Sequence, residues 1–227
     1  QQVTGGTLRD LHSLAHKSLL IRQAAAGRYT MHELLRQLAA EKLHALGQAP
    51  APLHRSAVST IEQEYVHDLA PFYGELADHA ERGERIDKAR HYHRLAGDSA
   101  RDAYQNELAL EAYGHALRLT PPDEYAAAFA LHMERQAIIH RLGRRAEQAQ
   151  ALAVLTELAQ CLQDERKVSE VLIAQARYAE AVGDYGAAAA AAQAAIEAAE
   201  AAHADDLLAL GNLAWGVALG RDSAFAA

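Results

Sequence analysis

Thirteen histidines and one cysteine give this 227-residue chain its widest chemical reach. His12 and His16 stand four apart, which puts two imidazoles on one helix face, and His91 and His93 flank Tyr92. A zinc site needs three or four such ligands. Neither pair has a third ligand at a helpful spacing or belongs to a His-Glu-x-x-His motif, so no metal site is expected and these rings read as solvated or helix-packing. Cys161 sits among Leu158, Ala159 and Leu162 with no cationic neighbour to favour a thiolate, which predicts a buried, inert thiol. Asp205 and Asp206 are adjacent rather than facing and read as the start of a helix, not as an acid/base pair. No Gly-x-Ser-x-Gly elbow occurs, nor a Gly-x-x-x-x-Gly-Lys-Ser/Thr run to cradle phosphates and hold magnesium. The chain is therefore expected to bind rather than catalyse, with no cofactor of its own.

One histidine has a more specific expectation. His32 falls where a short strand meets the first turn of a helix. Free N–H groups at such a helix start attract phosphate, and an imidazole adds a donor. The competing reading has His32 capping the helix and packing the hairpin.

The elements that would carry these residues are almost all helical. Fifty-three alanines against five prolines, three phenylalanines and one tryptophan favour helices and exclude a sheet-dominated sandwich or barrel. Small side chains let helix axes approach closely but bury little each, which suits stacked helix pairs. Gln48 to Pro52 marks a proline-broken linker, dividing residues 1–47 from a helical array over residues 56–227, with 48–55 between them. Within the array, helices are expected from Ser56 to Glu81 with a break near Pro71, from Glu84 to Ala103 and from Glu107 to Leu119. The last runs from Asp206 to Leu219, giving about eight in all. Gly143, Gly183 and Gly220 each follow Leu or Val and precede Arg or Asp, which predicts hairpin turns at all three.

The best unit, with Ala176, Ala179, Gly183, Tyr185, Ala188, Ala192 and Ala195, resembles the tetratricopeptide pattern of small residues where paired helices cross. Ala109, Tyr113, Ala116 and Pro121 resemble its second helix and terminating proline. Between them the unit over residues 124–163 is degenerate, with Gln148 at the small-residue position and Leu152 and Leu155 after it. The resemblance implies a right-handed α-solenoid of helical hairpins, truncated at its carboxy-terminal end, with the first helix of each pair lining a concave surface. Helical spacing places Glu170, Ile173, Arg177 and Glu180 on that surface, unless they form only a solvated face. Trp215, near the last turn, is expected to pack in the core; the alternative is an exposed patch on an unfinished end, able to drive dimerisation.

Residues 7–46 follow a different pattern. Leu8, Leu11, Leu14 and Ala15 have helical spacing; Ser18 to Gln23 and Arg28 to His32 read as two strands around a turn at Ala24 to Gly27; Leu34, Leu35, Leu38, Leu43 and Leu46 mark a second helix. This is the closing half of a winged-helix domain. The runs Leu11 to Leu20 and Arg28 to Leu43 resemble the winged-helix region of bacterial STAND signalling ATPases, relatives of NB-ARC proteins found in transcriptional regulators. In that family a Met-His-Asp motif senses ADP; here Met31, His32 and Glu33 occupy it, with Glu33 in place of Asp. The resemblance implies that His32 approaches the β-phosphate of ADP in an intact parent, which would use ADP or ATP with magnesium. It also implies an upstream nucleotide-binding domain as an intramolecular partner.

Charge and hydropathy narrow the partners. Residues 1–55 sum to +4 and the remainder to −12, so the larger part should repel nucleic acid. The most apolar stretch, Ala187 to Ala202, is interrupted by Gln193, Glu197 and Glu200 and is too weakly hydrophobic for a membrane span. One cysteine excludes an intrachain disulfide and no secretion signal is visible, which gives a cytoplasmic expectation. The functional expectation is a non-catalytic sensor and protein-interaction module of a STAND-type regulator, binding a protein, a peptide or a small-molecule inducer. The alternatives are a general tetratricopeptide scaffold and, less favoured by the charge, a winged-helix DNA-binding protein.

Overall fold

The computed structural model describes the backbone of residues 20–23 and 28–31, and residues 51–225, with side chains from Ala51 to Arg221. The expected hairpin is present: β1 (Leu20–Gln23) pairs antiparallel with β2 (Arg28–Met31), in the register Leu20 opposite Met31 and Gln23 opposite Arg28. His32 and the helices expected on either side of the hairpin lie outside the described residues. Nine α-helices follow among the described residues: α1 (Ala51–Glu64), α2 (Tyr73–Arg82), α3 (Ile86–Asp102), α4 (Asn106–Arg118), α5 (Tyr125–Arg141), α6 (Arg145–Leu162), α7 (Glu165–Val182), α8 (Tyr185–Ala201) and α9 (Asp205–Phe225). They divide into two compact units, Gln1–Ser99 and Ala100–Ala227, with the boundary inside α3.

In the first unit, α1 starts at Ala51, inside the expected linker. Pro52 is then in the opening turn, where a missing N–H costs nothing. The break near Pro71 is real: α1 stops at Glu64, and a short 3-10 turn over Ala70–Phe72 leads into α2. The rings of Tyr65 and Phe72 close this bend at 4.1 Å. Leu76, Ala77, Ala80 and Ala89 are fully buried. Glu62 ties α1 to α3, accepting from Lys88 Nζ at 2.6 and 2.7 Å and from the Tyr92 hydroxyl at 2.6 Å. Burial pushes its carboxyl pKa up, but those hydrogen bonds and the charges of Lys88 and Arg85 outweigh burial and hold it below the usual range.

The second unit repeats one connection. A residue in the left-handed region ends the helix before each of four turns, Tyr104, Gly143, Gly183 and His203. The next N–H then reaches back five residues: Gln105 to the Ala100 carbonyl at 2.8 Å, Arg144 to Ile139 at 3.2 Å, Asp184 to Ala179 at 2.9 Å and Ala204 to Ala199 at 2.9 Å. Glu84, in the first unit, makes the same turn. Gln163 supplies a fifth left-handed residue in this unit, followed by Asp164, whose carboxylate caps α7 through the Arg166 and Lys167 N–H groups. From Gly143 onward the left-handed residues come every twenty positions. Glycine adopts this conformation without a Cβ clash, while the others do so at a steric cost.

That rhythm sets which residues are buried. On α4 they are Ala109, Tyr113 and Ala116; on α6 Gln148, Leu152, Leu155 and Ala159; on α8 Ala188, Ala192, Ala195 and Ala199, none more than 4% exposed. The unit that looked degenerate in sequence thus keeps the register of its neighbours. Phe129, Val171 and Ala174 join the α6 residues in one core cluster, and Ile173, Ala204 and Leu207 join Ala195 and Ala199 in another. Ala176 is buried where α7 packs, Tyr185 opens α8 half-buried, and Pro121 is exposed just after α4. Tandem helical hairpins of this kind are consistent with a helical-repeat arrangement.

Two expectations about the last helix fail. Gly220 does not form a turn but lies inside α9, which runs unbroken from Asp205 to Phe225. The leucine–glycine–arginine signal misled because glycine weakens a helix by only about 1 kcal/mol and does not stop one without a bonding pattern that closes it. Trp215 is not in the core: it is 38% exposed, with Leu213 and Val217 exposed beside it in sequence. No helix among the described residues is long and apolar enough to cross a membrane.

Gly211 marks a close approach of α8 and α9, where a Cβ would come within 2.9 Å of Ile196 Cγ1; at Gly216 nothing lies within 4 Å. Gly211→Ala should therefore lower the thermal midpoint through overpacking of about 1–3 kcal/mol, against a helix gain of about 1 kcal/mol. Gly216→Ala should raise it. Melting curves of the two variants check the pair, and equal shifts would contradict the close approach.

Candidate binding cavity

The first helices of consecutive hairpins, α5 and α7, face each other across a cavity of about 280 Å³. Its cause lies in the second helices. Alanines on α8 let α7 and α9 touch directly, whereas α6, which packs on both α5 and α7, presents Leu152 and Leu155 at the equivalent positions. The larger side chains hold α5 and α7 apart and leave a gap between them.

Three of the four expected concave-surface residues line this cavity: Glu170, Ile173 and Arg177, from successive turns of α7. Ile173 is buried and forms part of its floor, Glu170 is half-buried and Arg177 is exposed. Glu180, one turn further, is not among the lining residues and lies 3.6 Å from Arg221 NH2 instead. The facing wall comes from α5: Met133, Gln136, Ala137, His140 and Arg141. Sequence reasoning missed this wall. Positions 133, 136, 137, 140 and 141 do have the spacing of one helix face, but they lie in the unit whose repeat pattern is degenerate.

The polar groups are unequally satisfied. Glu170 accepts from Lys167 Nζ at 3.0 Å on both oxygens and has Arg166 Nε at 3.6 Å, so its charge is balanced. Lys167 also sits over the Phe129 ring at 5.1 Å, linking α7 to α5. His140 is fixed from the other side. Gln148, fully buried, accepts from Arg145 NH1 at 2.6 Å through Oε1, so its Nε2 donates to His140 Nδ1 at 3.0 Å. Arg145 NH1 also lies 3.2 Å from Nδ1. Both neighbours of Nδ1 are donors, which makes it an acceptor and places the ring proton on Nε2. Burial, with the charge of Arg145, pushes the His140 pKa down and keeps the ring neutral.

The remaining sequence-level candidates lie outside this cavity. Cys161 is exposed, not buried, because it lies on the face of α6 opposite Leu155 and Ala159. Asp205 and Asp206 open α9 as expected, and Asp206 pairs with Arg166 at 2.6 and 3.0 Å on the surface. His91 is exposed, while His93 is buried with Nε2 3.1 Å from Glu81 Oε2. No protein-family model matches the chain, and no curated protein matches it.

The neutral ring makes stability pH-dependent. Below the ordinary imidazole value of about 6.5 the unfolded chain takes up a proton that folded His140 resists, so this contribution is complete above that value and is lost as pH falls. The thermal midpoint should drop between pH 7 and 5, less steeply in His140→Gln. Gln148→Leu, which leaves the His140 Nδ1 and Arg145 without their buried partner, should cost about 1–3 kcal/mol at pH 7. A pH series of melting curves reads both effects.

Proposed function

We propose that this chain is the sensor and interaction module of a STAND-type signalling ATPase or transcriptional regulator, without catalysis of its own. The hairpins from α4 to α9 bind an inducer, a peptide or a partner protein. The segment over residues 1–47, read as the closing half of a winged helix, relays that event to an upstream nucleotide-binding domain. The observation that carries this reading is the cavity between α5 and α7, where the first helices of two hairpins present apolar and polar groups together. The hairpin of β1 and β2 supports the winged-helix reading by falling between the two expected helices. His32 then serves the intact parent, where ADP or ATP with magnesium supplies the switch, and binding matters only if the ligand prefers one state of that switch.

A thermal-shift screen of the full chain against metabolites and short peptides, confirmed by calorimetry, tests the sensor role. A true ligand at about 100 times its Kd should add about 2.7 kcal/mol, raising the midpoint by several degrees. Magnesium ADP should give no heat with this chain, because it carries no phosphate-cradling loop. Failure of a broad library would leave the scaffold alternative, and micromolar ADP binding would contradict the division of labour proposed here.

A further inference from the structure

We infer that the cavity between α5 and α7 is a carboxylate site, taking a small organic acid whose charged end lies between Arg141 and Arg177 and whose apolar body rests on Met133 and Ile173. The inference builds on the sensor reading and names its ligand chemistry. It starts from a charge inventory. Glu170 is neutralised by Lys167 and Arg166, and Glu180 lies against Arg221. Arg141 and Arg177 both line the cavity, and neither guanidinium has a carboxylate partner among the described residues. The site therefore presents two exposed guanidinium groups with no carboxylate within ion-pair distance among the described residues.

A second observation is independent of charge. Gln136, only 5% exposed as a whole residue, belongs to the cavity wall, where its carboxamide can donate to or accept from a ligand. His140 Nε2 adds a further N–H from the same wall. Guanidinium groups bind carboxylates through paired N–H donors and are weakly hydrated, which suits a half-apolar recess. At about 280 Å³ the space fits a compact acid with a branched aliphatic body.

Calorimetry on the full chain at low salt, with N-acetyl-leucine, N-acetyl-leucinamide, 4-methylpentanoate and inorganic phosphate as probes, tests this directly. The acid should bind at least tenfold more tightly than its amide and more tightly than phosphate. Arg141→Gln and Arg177→Gln should each weaken N-acetyl-leucine at least tenfold, Gln136→Ala several-fold, and Arg118→Gln on α4 not at all. Melting curves confirm that the variants fold; if one does not, the ratio of acid to amide still decides. Equal affinity of 4-methylpentanoate and N-acetyl-leucine assigns the site to free acids, and a tenfold preference for N-acetyl-leucine assigns it to a chain-terminal carboxylate. Equal binding of acid and amide, tighter binding of phosphate, indifference to both arginine substitutions, or no heat from either acid overturns the inference. If a neutral ligand from the screen then occupies the cavity, the carboxylate assignment alone fails; if no ligand binds at all, the sensor reading fails with it.

Discussion

The left-handed turn that closes one helix and starts the next is the constraint on which the second unit depends. Its backbone bond reaches back five residues, from Asp184 to Ala179 and from Ala204 to Ala199, and so fixes where each helix stops and how the next one leaves. With left-handed residues at Gly143, Gln163, Gly183 and His203, every helix from α6 to α8 gets the same length allowance. Equivalent residues then meet the same neighbours. This is why Ala109, Gln148 and Ala188, unlike in chemistry, are all buried at the start of a second helix.

Within that frame, side-chain size decides where the molecule is closed and where it is open. Ala192 and Ala195 on α8 bring α7 and α9 together, and Gly211 makes the approach closer still between α8 and α9. Leu152 and Leu155 on α6 do the reverse for α5 and α7. The cavity is thus a consequence of the repeat that departs most from the small-residue pattern. Gln148 belongs to the same departure: an amide in place of alanine is tolerated because Arg145 and His140 satisfy it, and in doing so it orients a cavity-lining ring.

The helices were largely legible in sequence because alanine-rich periodicity and turn residues act locally. The boundaries of α3, α4 and the hairpin strands fall within two residues of the expected positions. Glycine proved an incomplete marker. Tyr104, Gln163 and His203 make left-handed turns without it, and Gly220 makes none, since the conformation is imposed by the backbone bonds and not by the residue. Of the site, the α7 side was readable from helical spacing. The α5 side was not, because a wall across a cavity depends on the bulk of a third helix, and nothing in the spacing of residues 133–141 announces that bulk. Cys161 and Trp215 were misplaced for a related reason: apolar neighbours in sequence do not say which face of a helix a residue occupies.

The central claim is that recognition takes place between the first helices of two hairpins. Hydrogen–deuterium exchange of the full chain, with and without saturating N-acetyl-leucine, locates it most directly. The account predicts slower exchange confined to residues 133–141 and 170–177. Unchanged exchange there, with slowing instead along α9 or in the first unit, would contradict it.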